Sequence, residues 1–138
     1  MKQSAPTSDL PVSPDVAWVR VALDVPLPGP FDYRAEAALP AGIRVIVPFG
    51  RRKLVGVVLA TVDVPDLPPE QIRPVEQVLD DLPPLPPDWM RMARFAADYY
   101  QRPIGEVMLP ALPAPLRKPA AYLGKRAAGG PLARLARR

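Results

Sequence analysis

Proline occupies 22 of the 138 positions, several times its usual ~5% share, and its placement limits every element this chain can build. Proline has no backbone N–H and a fixed φ. It is therefore kept out of helix interiors and of the paired centres of sheets. Clusters at residues 25–30, 63–70, 81–87 and 110–115 cut the chain into short segments joined by stiff turns. Long helices and wide sheets are excluded, and a small domain of short strands with one or two helices is expected.

The stretch around which such a domain is organised is residues 42–57, Gly-Ile-Arg-Val-Ile-Val-Pro-Phe-Gly-Arg-Arg-Lys-Leu-Val-Gly-Val. Residues 44–47 are a β-branched run, which Pro48 either ends or places at an edge. Gly50 can take positive φ and has no side chain to block a ligand. Arg51, Arg52 and Lys53 follow at once, and residues 54–64 resume an apolar strand. Two readings of this basic turn stay open, a solvated hairpin tip and an anion-binding turn. Gly56 marks a bulge or a close approach inside the second strand.

Alternation predicts a strand over 18–23, with Trp18, Arg20 and Ala22 on one face and Val19, Val21 and Leu23 on the other. After the proline connector, a second strand is expected over 31–36. Its start, Phe31-Asp32-Tyr33, puts two aromatics around a carboxylate. At i and i+2 they share a face, either as core or as a rim for a ligand. A fifth strand is expected over 73–79. Five short strands with tight turns predict a small antiparallel barrel of the oligonucleotide-binding (OB) kind. Residues 88–100 have helical spacing, with Trp89, Met92, Ala93, Ala96, Tyr99 and Tyr100 on one stripe, and residues 103–112 a second short helix. The fold class is α+β, mainly β. The expected organisation is a disordered leader over 1–15, a β-barrel over 16–80, a helical part over 88–115, and a loose basic tail over 116–138 with a strand at 120–123 and helical turns at 131–137.

Cysteine and histidine are absent. Thiol catalysis, cysteine-based zinc sites and Ser-His-Asp arrangements are thereby excluded. No phosphate-cradling G-x-x-x-x-G-K-[ST] loop occurs, and the acids lie scattered without a metal-loop pattern. No catalytic residue is assigned, and the chain alone is not expected to be an enzyme. No apolar run reaches the ~20 residues of a membrane span, so a cytoplasmic protein with no membrane partner is expected. Charge is uneven: residues 1–80 carry 8 Lys and Arg against 10 acids, residues 81–138 carry 10 against 4. Residues 116–138 hold seven cations and no acid, which suggests nucleic acid or an acidic partner. A small barrel with aromatics at a strand start and Arg51, Arg52 and Lys53 on a hairpin fits oligonucleotide binding by stacking and backbone charge, with the kind of nucleic acid left open. A protein-docking module is the alternative.

Three ordered blocks make this more specific: Val-Pro-Leu-Pro-Gly-Pro-Phe-Asp-Tyr at 25–33, Gly-Ile-Arg-Val-Ile-Val-Pro-Phe-Gly-Arg at 42–51, and Ala-Asp-Tyr-Tyr at 97–100 followed by Pro-Ile-Gly-Glu-Val at 103–107. With their spacing, they resemble the N-terminal domain of the primosomal protein N′ family, the PriA replication-restart helicases of bacteria. The resemblance covers roughly residues 18–116. It implies a DNA-binding domain that recognises the 3′ end of the nascent leading strand at stalled forks and helps primosome assembly. It implies a pocket of Phe31, Asp32, Tyr33, Gly50 and Arg73, although Pro74 departs from the family's usual basic or polar residue. The implied partners are forked or 3′-ended DNA, with single-strand-binding protein and primosome proteins beside it, for a monomer. In the resemblance, ATP, magnesium and zinc belong to a helicase part that this chain lacks, so no cofactor is expected here. Residues 116–138 match the start of a truncated winged-helix domain.

Overall fold

Short runs rich in β-branched, aromatic and other apolar residues form five strands in the computed structural model, which describes residues 16–123. They are β1 (Ala17–Leu23), β2 (Phe31–Ala35), β3 (Arg44–Phe49), β4 (Arg52–Val62) and β5 (Gln77–Leu79). Three helices follow: α1 (Pro87–Tyr100), α2 (Ile104–Met108) and α3 (Ala120–Leu123). The sheet is antiparallel in the order β2-β1-β4-β3-β5, so β2 and β5 are its edges. The class is α+β, mainly β, as expected, but the five strands do not close into a full barrel. The gap between the edges is spanned by one parallel bridge, Arg34 to Pro74. There the Arg34 N–H donates to the Arg73 carbonyl at 3.0 Å and the Val75 N–H donates to the Arg34 carbonyl at 2.8 Å. The residues on either side of Pro74 supply both bonds, so its missing N–H costs nothing at this seam.

Pro48 does not end β3. It pairs in register with Lys53. The Ile46 carbonyl accepts from Glu76, so alternate residues of β3, Pro48 among them, face the β5 side. The β3–β5 ladder covers only Arg44–Ile46. Pro48 therefore lies past its end, at a local edge that lacks no donor. β1 and β4 slip by one residue between Arg20 and Val21, a bulge that leaves Leu59 extra on β4. Gly56, by contrast, is a close approach: a Cβ there would meet Val21 Cγ1 at 2.4 Å.

Both sheet faces are buried. The inner one holds Val19, Val21, Leu23, Tyr33, Val45, Val47 and Val58, and the outer one holds Ala22, Ile46, Val55, Val57 and Leu79 with Ala93, Met108, Leu109 and Tyr122 from the helical part. The helices thus share one core with the strands. In β1 the two faces part as alternation predicts. In α1 the buried residues are Ala93 and Ala97, with Trp89 and Met90 half-buried against the core. The expected stripe is thereby turned: Met92, Tyr99 and Tyr100 are exposed, as is Phe95. The second helix stops at Met108, short of the expected 112, and continues as turns. The strand expected at 120–123 is instead the helical turn α3, whose Tyr122 is buried. Residues up to Leu123 are therefore packed on the sheet rather than loose. The expected leader over 1–15 and the tail beyond 123, with its helical turns at 131–137, lie outside the described residues.

Candidate nucleic-acid interface

At the β2 end of the gap, the sheet opens into a cleft of about 370 Å³ lined by Pro30, Phe31, Asp32, Tyr33, Pro48, Phe49, Gly50, Asp66, Leu67, Gln71 and Arg73. All five residues that the resemblance assigns to a pocket, Phe31, Asp32, Tyr33, Gly50 and Arg73, meet here from three separate parts of the chain. Arg51, Arg52 and Lys53 do not line it. Arg51 and Arg52 are exposed at the adjoining turn, and Lys53 pairs with Glu76 at 2.8 Å.

The aromatics take different places. Tyr33 is 5% exposed and donates its hydroxyl hydrogen to the Pro48 carbonyl at 2.7 Å, which makes it floor rather than rim. Burial pushes its pKa up to about 12, and the nearby Arg73 charge pulls the other way, so at neutral pH the phenol is a fixed donor. Phe31 is half-buried and meets Phe49 edge-to-face with ring centroids 5.4 Å apart. The Phe31–Phe49 pair forms the apolar side of the cleft.

Asp32 alternates to the opposite face of β2. Its side chain is 2% exposed. Oδ1 accepts from Arg20 Nε at 3.0 Å, and Oδ2 accepts from the Asp66 N–H at 2.7 Å. The bond to Asp32 raises the Arg20 pKa above its ordinary value, against a smaller opposing effect of burial. With both oxygens occupied, the part of Asp32 turned toward the cleft is its main chain. The Arg34 N–H and C=O point out of the sheet to Arg73 and Val75. Two residues earlier on an unbroken β1–β2 register, the Asp32 N–H and C=O share that outward direction.

Gly50 has φ +60°, the left-handed region that disfavours side chains, and nothing lies within 4 Å of where a Cβ would stand. Its carbonyl accepts from Arg73 Nη1 at 3.0 Å. That bond carries the one cation lining the cleft across its opening. Hydrophobic and planar groups can therefore be held at Phe31 and Phe49, a hydroxyl at the Asp32 main chain, and a phosphate at Arg73.

The participation of Phe49, Leu67 and Gln71 was not foreseen, nor was the Arg20–Asp32–Asp66 cluster. Only Phe49 had a signal, as part of the second block. Among the described residues no helix is long and apolar enough to cross a membrane, and no group of three or more His, Cys, Asp or Glu side chains could hold a metal ion.

Comparison with known proteins places these residues in context. Residues 20–113, more than half of the chain, match the family described as the PriA 3'DNA-binding domain (3'BD). The chain is 42% identical over 101 residues to the replication restart protein PriA of Haemophilus influenzae, covering 72% of this chain and 14% of that protein. Identity to the PriA of Bacillus subtilis is 37% over 73 residues, 50% of this chain and 9% of the relative. For Synechocystis it is 34% over 105 residues, 70% and 12%. The chain thus spans a small fraction of the length of these relatives.

Proposed function

This chain belongs to the PriA 3'DNA-binding domain (3'BD) family, and on that footing we propose that it binds DNA by taking the 3′-terminal nucleotide of a strand into the cleft between β2 and the β3–β4 turn. The observation that supports this is the meeting of four different chemistries in one small cleft: an aromatic pair, an outward main-chain edge at Asp32, a side-chain-free turn at Gly50, and Arg73. Its volume is near the lower end of the ~300–1,000 Å³ range of ligand clefts, which suits one nucleotide rather than a duplex.

In this reading the terminal base packs against Phe31 and Phe49, a contact worth ~1–3 kcal/mol that tolerates any base. The 3′-hydroxyl donates to the Asp32 carbonyl on the open edge. Arg73 meets the phosphate on the 5′ side of that nucleotide, which supplies affinity without reading sequence. Arg51 and Arg52 lie where the strand leaves the cleft and add salt-sensitive attraction. A 3′-phosphate brings negative charge and no donor to a carbonyl and is rejected. Within a replication-restart protein, such a domain places the leading-strand 3′ end of a stalled fork and so assists primosome assembly. The ATP-dependent helicase activity, with its ATP, magnesium and zinc, belongs in this reading to other parts of such a protein. The domain itself works without a cofactor, in the cytoplasm and as a monomer.

A second reading, docking of a protein such as single-strand-binding protein or another primosome component, has one observation in its favour. Met92, Phe95, Tyr99 and Tyr100 stand exposed on α1, and Phe95 stacks on Tyr99 with centroids 6.1 Å apart. None of the four lines the cleft. Competition between linear and covalently closed circular single strands tests the first reading. End recognition requires that the circle compete at least ten-fold less well per molecule. Equal competition would leave a general strand binder or, if neither binds, the docking module.

A further inference from the structure

We infer that Arg20 is a positioning residue for the cleft: it fixes the Asp32 carboxylate, which in turn holds the loop that forms the cleft's outer wall. The inference rests on the reading of the cleft as a 3′-end site and adds residues on the far side of the sheet to it.

Arg20 on β1 stands directly opposite Asp32 on β2. By the alternation that turns the Arg34 main chain outward, this is a pair without mutual backbone bonds, the arrangement that brings facing side chains closest. Both side chains lie on the face away from Phe31 and Tyr33. Arg20 Nε meets Asp32 Oδ1 at 3.0 Å, and its Nη2 reaches Asp66 Oδ2 at 3.2 Å. Asp66 closes the triangle by donating its N–H to Asp32 Oδ2 at 2.7 Å. Three segments distant in sequence are thus tied at one point.

That point is where the wall needs support. Asp66, Leu67 and Gln71 line the cleft and lead to Arg73. The turn inside this loop is held by its own bonds, from Gln71 to Pro68 and from Ile72 to Pro69. Among the described residues, the hydrogen bonds and ion pairs that leave residues 63–72 end on Asp32 and Arg20. Charge-assisted bonds to a carboxylate that is almost wholly buried are stronger and more directional than exposed pairs. Asp32 is therefore bifunctional: its main chain faces the cleft while its carboxylate holds the wall. Without Arg20 the buried carboxylate keeps one N–H partner, turns toward water, and releases the loop.

The test uses the whole chain with Arg20→Met, which keeps the stem and removes the charge. Amide exchange at Asp66, Leu67 and residues 70–73 is measured by NMR beside affinity for an oligothymidylate with a free 3′-hydroxyl. Exchange at Asp66 is expected to speed up at least ten-fold and affinity to fall about five- to ten-fold, with Arg20→Lys recovering most of both. Unchanged exchange at Asp66 would overturn the tie. Faster exchange with unchanged affinity would overturn its role in binding. Should Arg20→Met fail to fold, Asp66→Asn keeps the Arg20–Asp32 pair and weakens only the loop's ion pair. It is expected to lose two- to three-fold in affinity, and no loss would overturn the proposal. If the wild-type chain binds circular strands as well as linear ones, the 3′-end reading fails, and the Asp66 amide still decides whether the tie holds the loop.

Discussion

The Tyr33 hydroxyl donates to the Pro48 carbonyl across 2.7 Å, joining the edge strand β2 to the end of β3 directly beneath the cleft. A proline at that point cannot donate, but its carbonyl is free to accept, and the buried phenol satisfies it. The floor of the cleft is thus set by one bond between two of the blocks that mark the family in the sequence.

Burial that pushes the Tyr33 pKa to about 12 makes this bond a source of pH dependence. Below pH ~10, the ordinary tyrosine value, the phenol is neutral in both folded and unfolded chains and its contribution is fully present. Between about 10 and 12 the unfolded chain ionises while the folded one keeps its proton, so stability falls as pH rises, by something on the order of 2 kcal/mol in all. Denaturant titrations at pH 9 and pH 11.5 should show this loss. In Tyr33→Phe the loss should be smaller, on a baseline already lowered by ~1–2 kcal/mol for the unpaired carbonyl. Equal pH losses in both proteins would assign the effect to other groups.

Arg44 is 4% exposed and spans the outer core. It pairs with Asp81 at 2.5 Å and donates to the Leu116 carbonyl at 2.7 Å and to Tyr122 Oη at 2.8 Å. Arg44→Met leaves the Leu116 carbonyl without its donor and the Asp81 carboxylate without its counter-charge, held by the Tyr122 hydroxyl alone, inside a packed layer. Breaking one side of a buried pair costs about 3–5 kcal/mol. Urea unfolding of the variant should show that loss, and a change under 1 kcal/mol would mean that water already serves Asp81.

Gly105 lets α2 lie on β1: an added Cβ would stand 1.7 Å from the Leu23 carbonyl oxygen. Backbone sits on both sides of this contact and cannot move aside as a side chain would. Gly105→Ala should cost about 3 kcal/mol or more, read as a lowered thermal midpoint. A midpoint within a degree or two of the parent would show that α2 can shift freely.

Arg73 donates to the Gly50 carbonyl and is otherwise exposed. Arg73→Ala should weaken binding to single strands of every sequence alike and reduce the slope of log affinity against log salt by about 0.7, the value for one phosphate contact on a single strand. An unchanged slope in a salt titration would remove Arg73 from the phosphate path.

Much of this was legible in the sequence, for physical reasons that differ from place to place. The hairpin around Gly50 shows because β-branched runs and a glycine at positive φ leave few alternatives. The two faces of β1 show because alternation there is regular. What alternation cannot give is register, so the placement of Arg20 opposite Asp32 was invisible although both residues stood in view. The phase of α1 is only half given by spacing, because its apolar residues run nearly all the way round: of the expected stripe, Trp89 and Ala93 pack on the core while Met92, Tyr99 and Tyr100 face outward. The packed side runs on through Ala97 instead, and the small alanines approach the sheet more closely. Four residues at 120–123 carry too little pattern to separate a strand from a helical turn. The meeting of residues 31–33, 50 and 73 came from resemblance, not from spacing, since only the curled sheet brings them together.

The most direct test of the 3′-end reading is the affinity of this chain for one oligonucleotide ending in a 3′-hydroxyl and for the same strand ending in a 3′-phosphate, measured at low and moderate salt. The hydroxyl end is expected to bind at least ten-fold more tightly at both salts while both affinities fall as salt rises. Equal binding of the two ends would contradict it, because the cleft would then not be reading the terminus.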